Sequence, residues 1–269
     1  MTHASSQNGA AGGNNPRSAS SHRADSGGSR FRNPDGSRPW YIEIPMLIII
    51  ALIISFLVQT FVGRVYRIPS ESMEPTLIGC EGCNGDRIVV DKITYRFNDP
   101  RPGDVVVFKG SESWNEGYES QRSDNPALRA LQNAGSVVGL MPPDENNLVK
   151  RIIAVGGQTV GGCSPTGDLL VDGQPLKEDG YINNPAESKK NPMNCNFGPV
   201  EVPEGNVWVM GDNRSNSADS RYHMGDQYQG TVPESDIVGK VRWVILPFSR
   251  IGGVDSPDLM SISGIDAPE

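Results

Sequence analysis

The sequence has no lysine- or arginine-rich block, and its formal net charge is −8. Phosphate binding needs clustered cations, so nucleic acid is set aside as a main partner. Histidine is scarce as well: of three, His3 and His22 lie in the N-terminal stretch, which leaves only His223 for a mechanism that needs an imidazole. The four cysteines, Cys80, Cys83, Cys163 and Cys195, form one "CEGC" and two isolated residues, a poor match to paired zinc spacing, and no histidine cluster completes a site. No metal is expected. A thioredoxin-like alternation of helices and strands around "CEGC" is missing, and no internal repeat occurs.

The first forty residues are rich in Ser, Gly, Asn and Arg and nearly empty of aliphatic side chains. Such a stretch cannot bury enough apolar surface to offset its chain entropy, so residues 1–43 read as a disordered cytoplasmic tail. Residues 44–62, "IPMLIIIALIISFLVQTFV", are uncharged throughout. That length is close to the ~20 residues a helix needs to cross ~30 Å of hydrocarbon. A buried core helix is the bland alternative, but a run apolar on all sides favours a span. A cleavable signal has a shorter apolar core and does not sit behind a forty-residue tail, so the segment reads as an uncleaved anchor. Arg17, Arg23, Arg30, Arg32 and Arg38 precede it, while Arg64 and Arg67 follow. The positive-inside bias favours a cytoplasmic N-terminus on a single-pass plasma-membrane protein, with residues 63–269 outside.

That outer part reads as mainly β. The runs at 87–97, 104–109, 148–155, 168–171, 207–211 and 238–246 carry the β-branched enrichment of strands, and Gly, Pro, Asn and Asp punctuate the gaps. Polar stretches near 111–147 and 162–199 read as insertions on this β-rich core. In the first, "DNPALRALQNAG" predicts a helix with Asn125 or Asp124 as cap, Pro126 in its first turn and Gly135 as its stop, while Trp114, Leu140 and Met141 are candidates to touch the bilayer. Outside the membrane, disulfides persist. Cys80–Cys83 with Cys163–Cys195 is the preferred of three connectivities, and four reduced, buried thiols remain the alternative.

Three polar segments carry the chemistry. "RIPSESMEPTL" at 67–77 sets Ser70 and Ser72 just after the anchor. A serine hydroxyl is a weak nucleophile and needs a base within hydrogen-bond reach. Among seven lysines, Lys150 stands apart inside the strand "NLVKRIIAV". Apolar neighbours desolvate an ammonium and pull its pKa down, as a lysine base requires. Periodicity alone nonetheless favours Lys150 and Arg151 as exposed residues of an alternating strand. "GDNRSNSADSR" at 211–221 reads either as a polar turn after a strand or as the shell of an active site.

Taken with "PGDVVVF" at 102–108 and "KR" at 150–151, these motifs resemble, in order and spacing, those of the bacterial type I signal peptidases, or leader peptidases. The resemblance runs from the anchor to about residue 248. It implies a membrane-bound serine endopeptidase that removes signal peptides from secreted preproteins by a Ser/Lys dyad, cutting after small residues in an A-x-A pattern, without metal or cofactor. Ser72 would be the nucleophile and Lys150 the base. Ser70 would hold the oxyanion, Ser217 would orient the amine, and Asp219 with Arg221 would form a supporting pair. Gly211 and Asp212 would be scaffold. Secretory preproteins, the lipid bilayer and the export machinery are the implied partners. Gln158 stands where the family has an aspartate, so a charged contact there is not carried over. A Ser-His-Asp triad through His223 is the mechanistic runner-up. The alternative function, a catalytically silent anchored scaffold, predicts a missing dyad member, and neither is missing.

Overall fold

The computed structural model describes residues 39–80, 83, 85–114, 120, 122–137, 146–191 and 194–259. Nearly all of the expected tail, and with it Leu140 and Met141, lies outside them. The first element, helix α1, spans Trp40–Leu57 and has no buried residue. It continues into one π-helical turn, Val58–Val62, giving a 23-residue apolar helix long and apolar enough to cross a membrane. It starts four residues ahead of Ile44. Among the described residues, those up to Ile48 belong to one unit and those from Ile49 onward to another.

In the second unit the chain forms β1 (Gly63–Arg67), β2 (Arg87–Asp91), β3 (Val105–Lys109), helix α2 (Pro126–Val137) and β4 (Asn147–Val155). There follow β5 (Thr159–Cys163), β6 (Leu169–Val171), β7 (Gln174–Pro175), the short helix α3 (Pro185–Ser188) and β8 (Val200–Glu201). The last strands are β9 (Asn206–Met210), β10 (Val232–Pro233), β11 (Ile237–Leu246) and β12 (Gly252–Gly253). An eight-stranded sheet runs in the order β1-β2-β11-β3-β4-β9-β10, with β12 on β11, and a four-stranded sheet runs β7-β6-β5-β8. All pairings within both are antiparallel.

The continuous apolar run of β3 is explained by burial on both faces. Val105 and Val107 join a core with Met73, Leu77, Ile88 and Val241, while Val106 and Phe108 join another with Ile152, Val209 and Trp114. Trp114 does not reach for lipid. It is 7 % exposed, edge-on to Phe108, stacked on His223, and donates its indole N–H to Asp226. The predicted 87–97 strand stops at Asp91, whose carboxylate accepts from the backbone N–H groups of Ile93 and Thr94 and turns the chain into a 3-10 turn. Asn125 accepts from Ala127 N–H at 3.0 Å at the start of α2, but the helix runs through Gly135 to Val137.

The polar stretch 162–199 turns out to supply core. Leu169, Val171, Leu176, Ile182 and Phe197 pack with Ile153 of β4 and with Trp208 and Met210 of β9. Disulfides join Cys163 to Cys195 within this region and Cys80 to Cys83 after the serine-bearing turn. Because Phe108 is fully buried in the core with Ile152, Val209 and Trp114, Phe108→Ala should cost about 3–5 kcal/mol, read as a lower urea midpoint of the detergent-solubilised chain with an unchanged slope.

Candidate active site

The segment after β1 is an amphipathic turn. Ile68, Met73 and Leu77 are buried in the core, whereas Ser70 and Glu71 are exposed and Ser72 is half-buried. Three buried apolar anchors thus hold the loop down while a 3-10 turn, Glu71–Met73, lifts Ser72 to the surface. The segment after β9 secures it. Asn213 N–H donates to the Ser72 carbonyl at 3.1 Å, Asn213 Nδ2 to the Glu71 carbonyl at 3.2 Å, and Asn216 Nδ2 to the Glu71 carboxylate at 3.1 Å.

Strand β4 brings Lys150 to this turn. Nζ donates to Ser72 Oγ at 2.7 Å, a contact closed across 78 residues of chain, and the side chain is 4 % exposed. Burial pushes the ammonium down to about 8. Asp219 pulls against that, Arg221 adds to it, and Asp212 pulls against it. At mildly alkaline pH the amine is therefore largely neutral, and the same contact lets the Ser72 hydroxyl donate to the nitrogen lone pair.

Three ion pairs lie behind the lysine. Arg151 grips Asp212 in a two-pronged contact at 2.8 and 2.7 Å, and Thr76 Oγ1 donates to the same carboxylate at 2.6 Å. Arg221 grips Asp219 in the same way at 2.8 and 2.7 Å, and Arg214 meets Glu178 at 2.5 Å. All six side chains are almost fully buried. Burial alone would raise the Asp219 carboxyl. The charge and hydrogen bonds of Arg221, the Gly211 N–H and Lys150 outweigh it and hold the carboxyl below its usual range. Toward Lys150, Asp219 and Asp212 favour the charged form and Arg221 opposes it, so burial rather than the ion pairs brings the ammonium down.

The other predicted residues gather here too. Ser70 Oγ lies 3.3 Å from Ser72 Oγ. Ser217 packs against Gly211, and its buried hydroxyl has no partner among the described residues. Gln158 accepts from Val155 N–H and donates to Asp172, bridging with a neutral amide. His223 is stacked on Trp114 at 4.2 Å, while the Ser72 hydroxyl is met by Lys150. Among the described residues no cluster of His, Cys, Asp and Glu is arranged to hold a metal ion.

Glu178, Tyr181 and Asn194 were not foreseen. Tyr181 lies under the Arg151 guanidinium, 4.4 Å from ring centroid, and its hydroxyl donates to Glu178, while Asn194 accepts from Arg221. All three come from the stretch read as an insertion, where no local pattern marks them.

A serine on a tethered turn with a desolvated amine on its hydroxyl defines a hydrolase that works through an activated hydroxyl. Comparison with known proteins narrows the class. The family described as "Signal peptidase, peptidase S26" matches residues 41–246. The chain is 56 % identical over 229 residues to a probable signal peptidase I of Mycobacterium leprae, covering 80 % of this chain and 79 % of that protein. It is 52 % identical over 248 residues to signal peptidase I of Mycobacterium tuberculosis, covering 87 % and 83 %. A crystal structure of a signal peptidase I from Enterococcus faecalis is 22 % identical with a TM-score of 0.30, covering 53 % of this chain and 97 % of that one. The chain belongs to the signal peptidase family, peptidase S26, and is a serine endopeptidase.

Gly211 is where the two halves of the site touch. A Cβ there would fall 2.4 Å from the Ser72 carbonyl oxygen and 2.2 Å from Ser217 Oγ. Gly211→Ala should displace Ser72 and lower kcat/KM by about 10²-fold or more with a smaller effect on KM, measured on a peptide substrate.

Proposed function

We propose that the protein is a single-pass membrane endopeptidase that removes signal peptides from secreted preproteins, using Ser72 as nucleophile and Lys150 as general base. The observation that carries this reading is the 2.7 Å contact between Ser72 Oγ and a buried Lys150 Nζ. Neutral Lys150 takes the Ser72 proton as Oγ attacks the scissile carbonyl. The Ser72 N–H and the Ser70 hydroxyl face the oxygen that becomes charged, and losing one such donor typically costs about 2.7–4 kcal/mol of barrier. As the tetrahedral intermediate collapses, Lys150 gives the proton to the leaving amine. Water, deprotonated by the same lysine, then releases the acyl group from Ser72. Ser217 packs beside Gly211, and the Asp219–Arg221 pair stiffens the turn that carries it.

Location supplies the substrate. Ser72 is ten residues beyond Val62, so even an extended link keeps it within about 35 Å of the membrane exit. With the apolar helix as anchor, the N-terminus cytoplasmic and the β domain outside, the site meets polypeptides whose own apolar segment holds them in the bilayer. Signal peptides have that shape, with small residues in an A-x-A pattern before the cut. Newly exported preproteins are thus the substrates, delivered beside the export machinery.

Incubating the solubilised protein with a preprotein carrying an A-x-A site should release a product cut after the final alanine, as read by mass spectrometry. Ser72→Ala and Lys150→Ala should each lower the rate by on the order of 10³-fold or more. Cleavage surviving in Lys150→Ala would put the base elsewhere, with His223 tested next. Only the neutral amine accepts the proton, so kcat/KM should rise with pH and level off above an apparent pKa of about 8. An inflection near 10.5, the value for an unperturbed lysine, would contradict a desolvated base.

A further inference from the structure

A polar cavity of about 380 Å³ is unused by the peptidase reading. Its lining includes Arg64 of β1, Lys92 and Arg96 after β2, and Lys109 at the end of β3, against a single carboxylate, Asp236. Among the described residues, Arg64, Arg96 and Lys109 have no carboxylate partner. Contacts of two of these cations, Lys92 and Arg96, tie the cleft to the end of the apolar helix, and that of Arg64 ties it to α2. Lys92 Nζ donates to the Gln59 carbonyl at 3.1 Å, Lys92 N–H to the Val62 carbonyl at 3.0 Å, and Arg64 to the Ser136 carbonyl at 2.9 Å. The Arg96 guanidinium lies 5.6 Å from the Phe61 ring centroid.

Capping of the helix C-terminus accounts for Lys92, since exposed carbonyls there favour a cation. It leaves Lys109 and the outward side of Arg96 unexplained. Depth decides what these cations meet. Arg64 is two residues past Val62, at most about 7 Å along the chain. The headgroup layer on each side of the hydrocarbon is roughly 5–8 Å thick, so the cleft opens within it. Under the topology proposed above, this also puts basic residues on the side that the positive-inside bias depletes.

We infer that this cleft is a binding site for the phosphodiester headgroup of an anionic phospholipid in the outer leaflet. The inference rests on the membrane-anchored reading. Arg64, Arg96 and Lys109, which line the cleft together, hold the phosphate and so fix the height of the catalytic domain on the bilayer.

The test reconstitutes the full chain into nanodiscs of phosphatidylcholine mixed with phosphatidylglycerol, then counts lipids retained on the released protein by native mass spectrometry. The wild type should retain phosphatidylglycerol over phosphatidylcholine. Each basic side chain near an anionic surface is worth about 1 kcal/mol, so Arg96→Gln with Lys109→Gln should cut that preference by roughly five-fold per charge. Arg96→Lys should keep most of it, and the double variant should still cleave a soluble peptide, which shows that it is folded. Equal retention of both lipids by the wild type, or an unchanged preference in the double variant, overturns the inference while leaving the anchor intact. Protein that elutes free of nanodiscs of either composition overturns the anchor reading and this one together. Variant-sensitive binding of inorganic phosphate by calorimetry, without any lipid preference, would assign the cleft to a soluble anion and likewise overturn it.

Discussion

An ammonium buried within reach of Asp219, Arg221 and Asp212 is the constraint on which the rest of the site depends. As a base, Lys150 needs surroundings that bring its pKa down from 10.5, which burial does, yet the protein must also tolerate that desolvated amine. The charges of the surrounding shell are matched in three pairs, Arg151–Asp212, Arg214–Glu178 and Arg221–Asp219. An unmatched carboxylate there would hold the lysine protonated, and an unmatched guanidinium would be costly to bury. Breaking one such pair typically costs about 3–5 kcal/mol, much of it from the stranded charge. Burial is what lowers the lysine, and Arg221 offsets part of the opposing pull of Asp219 and Asp212.

The same shell fixes position. Asp212 and Asn213 follow Gly211 directly, and the backbone there closes against the Ser72 carbonyl. The pair that anchors Asp212 to β4 thus also sets the distance between β4, which carries Lys150, and the turn, which carries Ser72. Tyr181 and Glu178 extend this from the segment between β7 and α3: Tyr181 lies against Arg151 while Glu178 holds Arg214. The chain that follows the small sheet is part of how the site is held.

The strands that carried the site were legible because they are buried on both faces and so written in valine and isoleucine, as in "VVVF" and "RIIAV". Strands β1 and β5 were not. "GRVYR" mixes arginines with a half-exposed edge, and "TVGGC" bends through Gly161 and Gly162, both at positive φ. Asp91 ended its strand through its own side chain, which a β-branched count does not register. In the site, Ser70, Ser72, Lys150, Ser217, Asp219 and Arg221 came from resemblance to a family, whereas local periodicity preferred an exposed Lys150. Burial of that side chain is decided by β3 on one side and by a loop 78 residues away, so no window around it carries the information. Glu178 and Asn194 were invisible for the same reason.

The most direct test of this account is the protonation state of Lys150 itself. Heteronuclear NMR of lysine-labelled protein in detergent, with Lys150 assigned by substitution, would follow its side-chain resonance as pH is raised. The account predicts a midpoint of about 8, moving upward when Arg221 is replaced by glutamine and Asp219 loses its partner. A midpoint near 10.5 in the wild type would mean that the amine is solvated and charged, and that Ser72 is activated by something else.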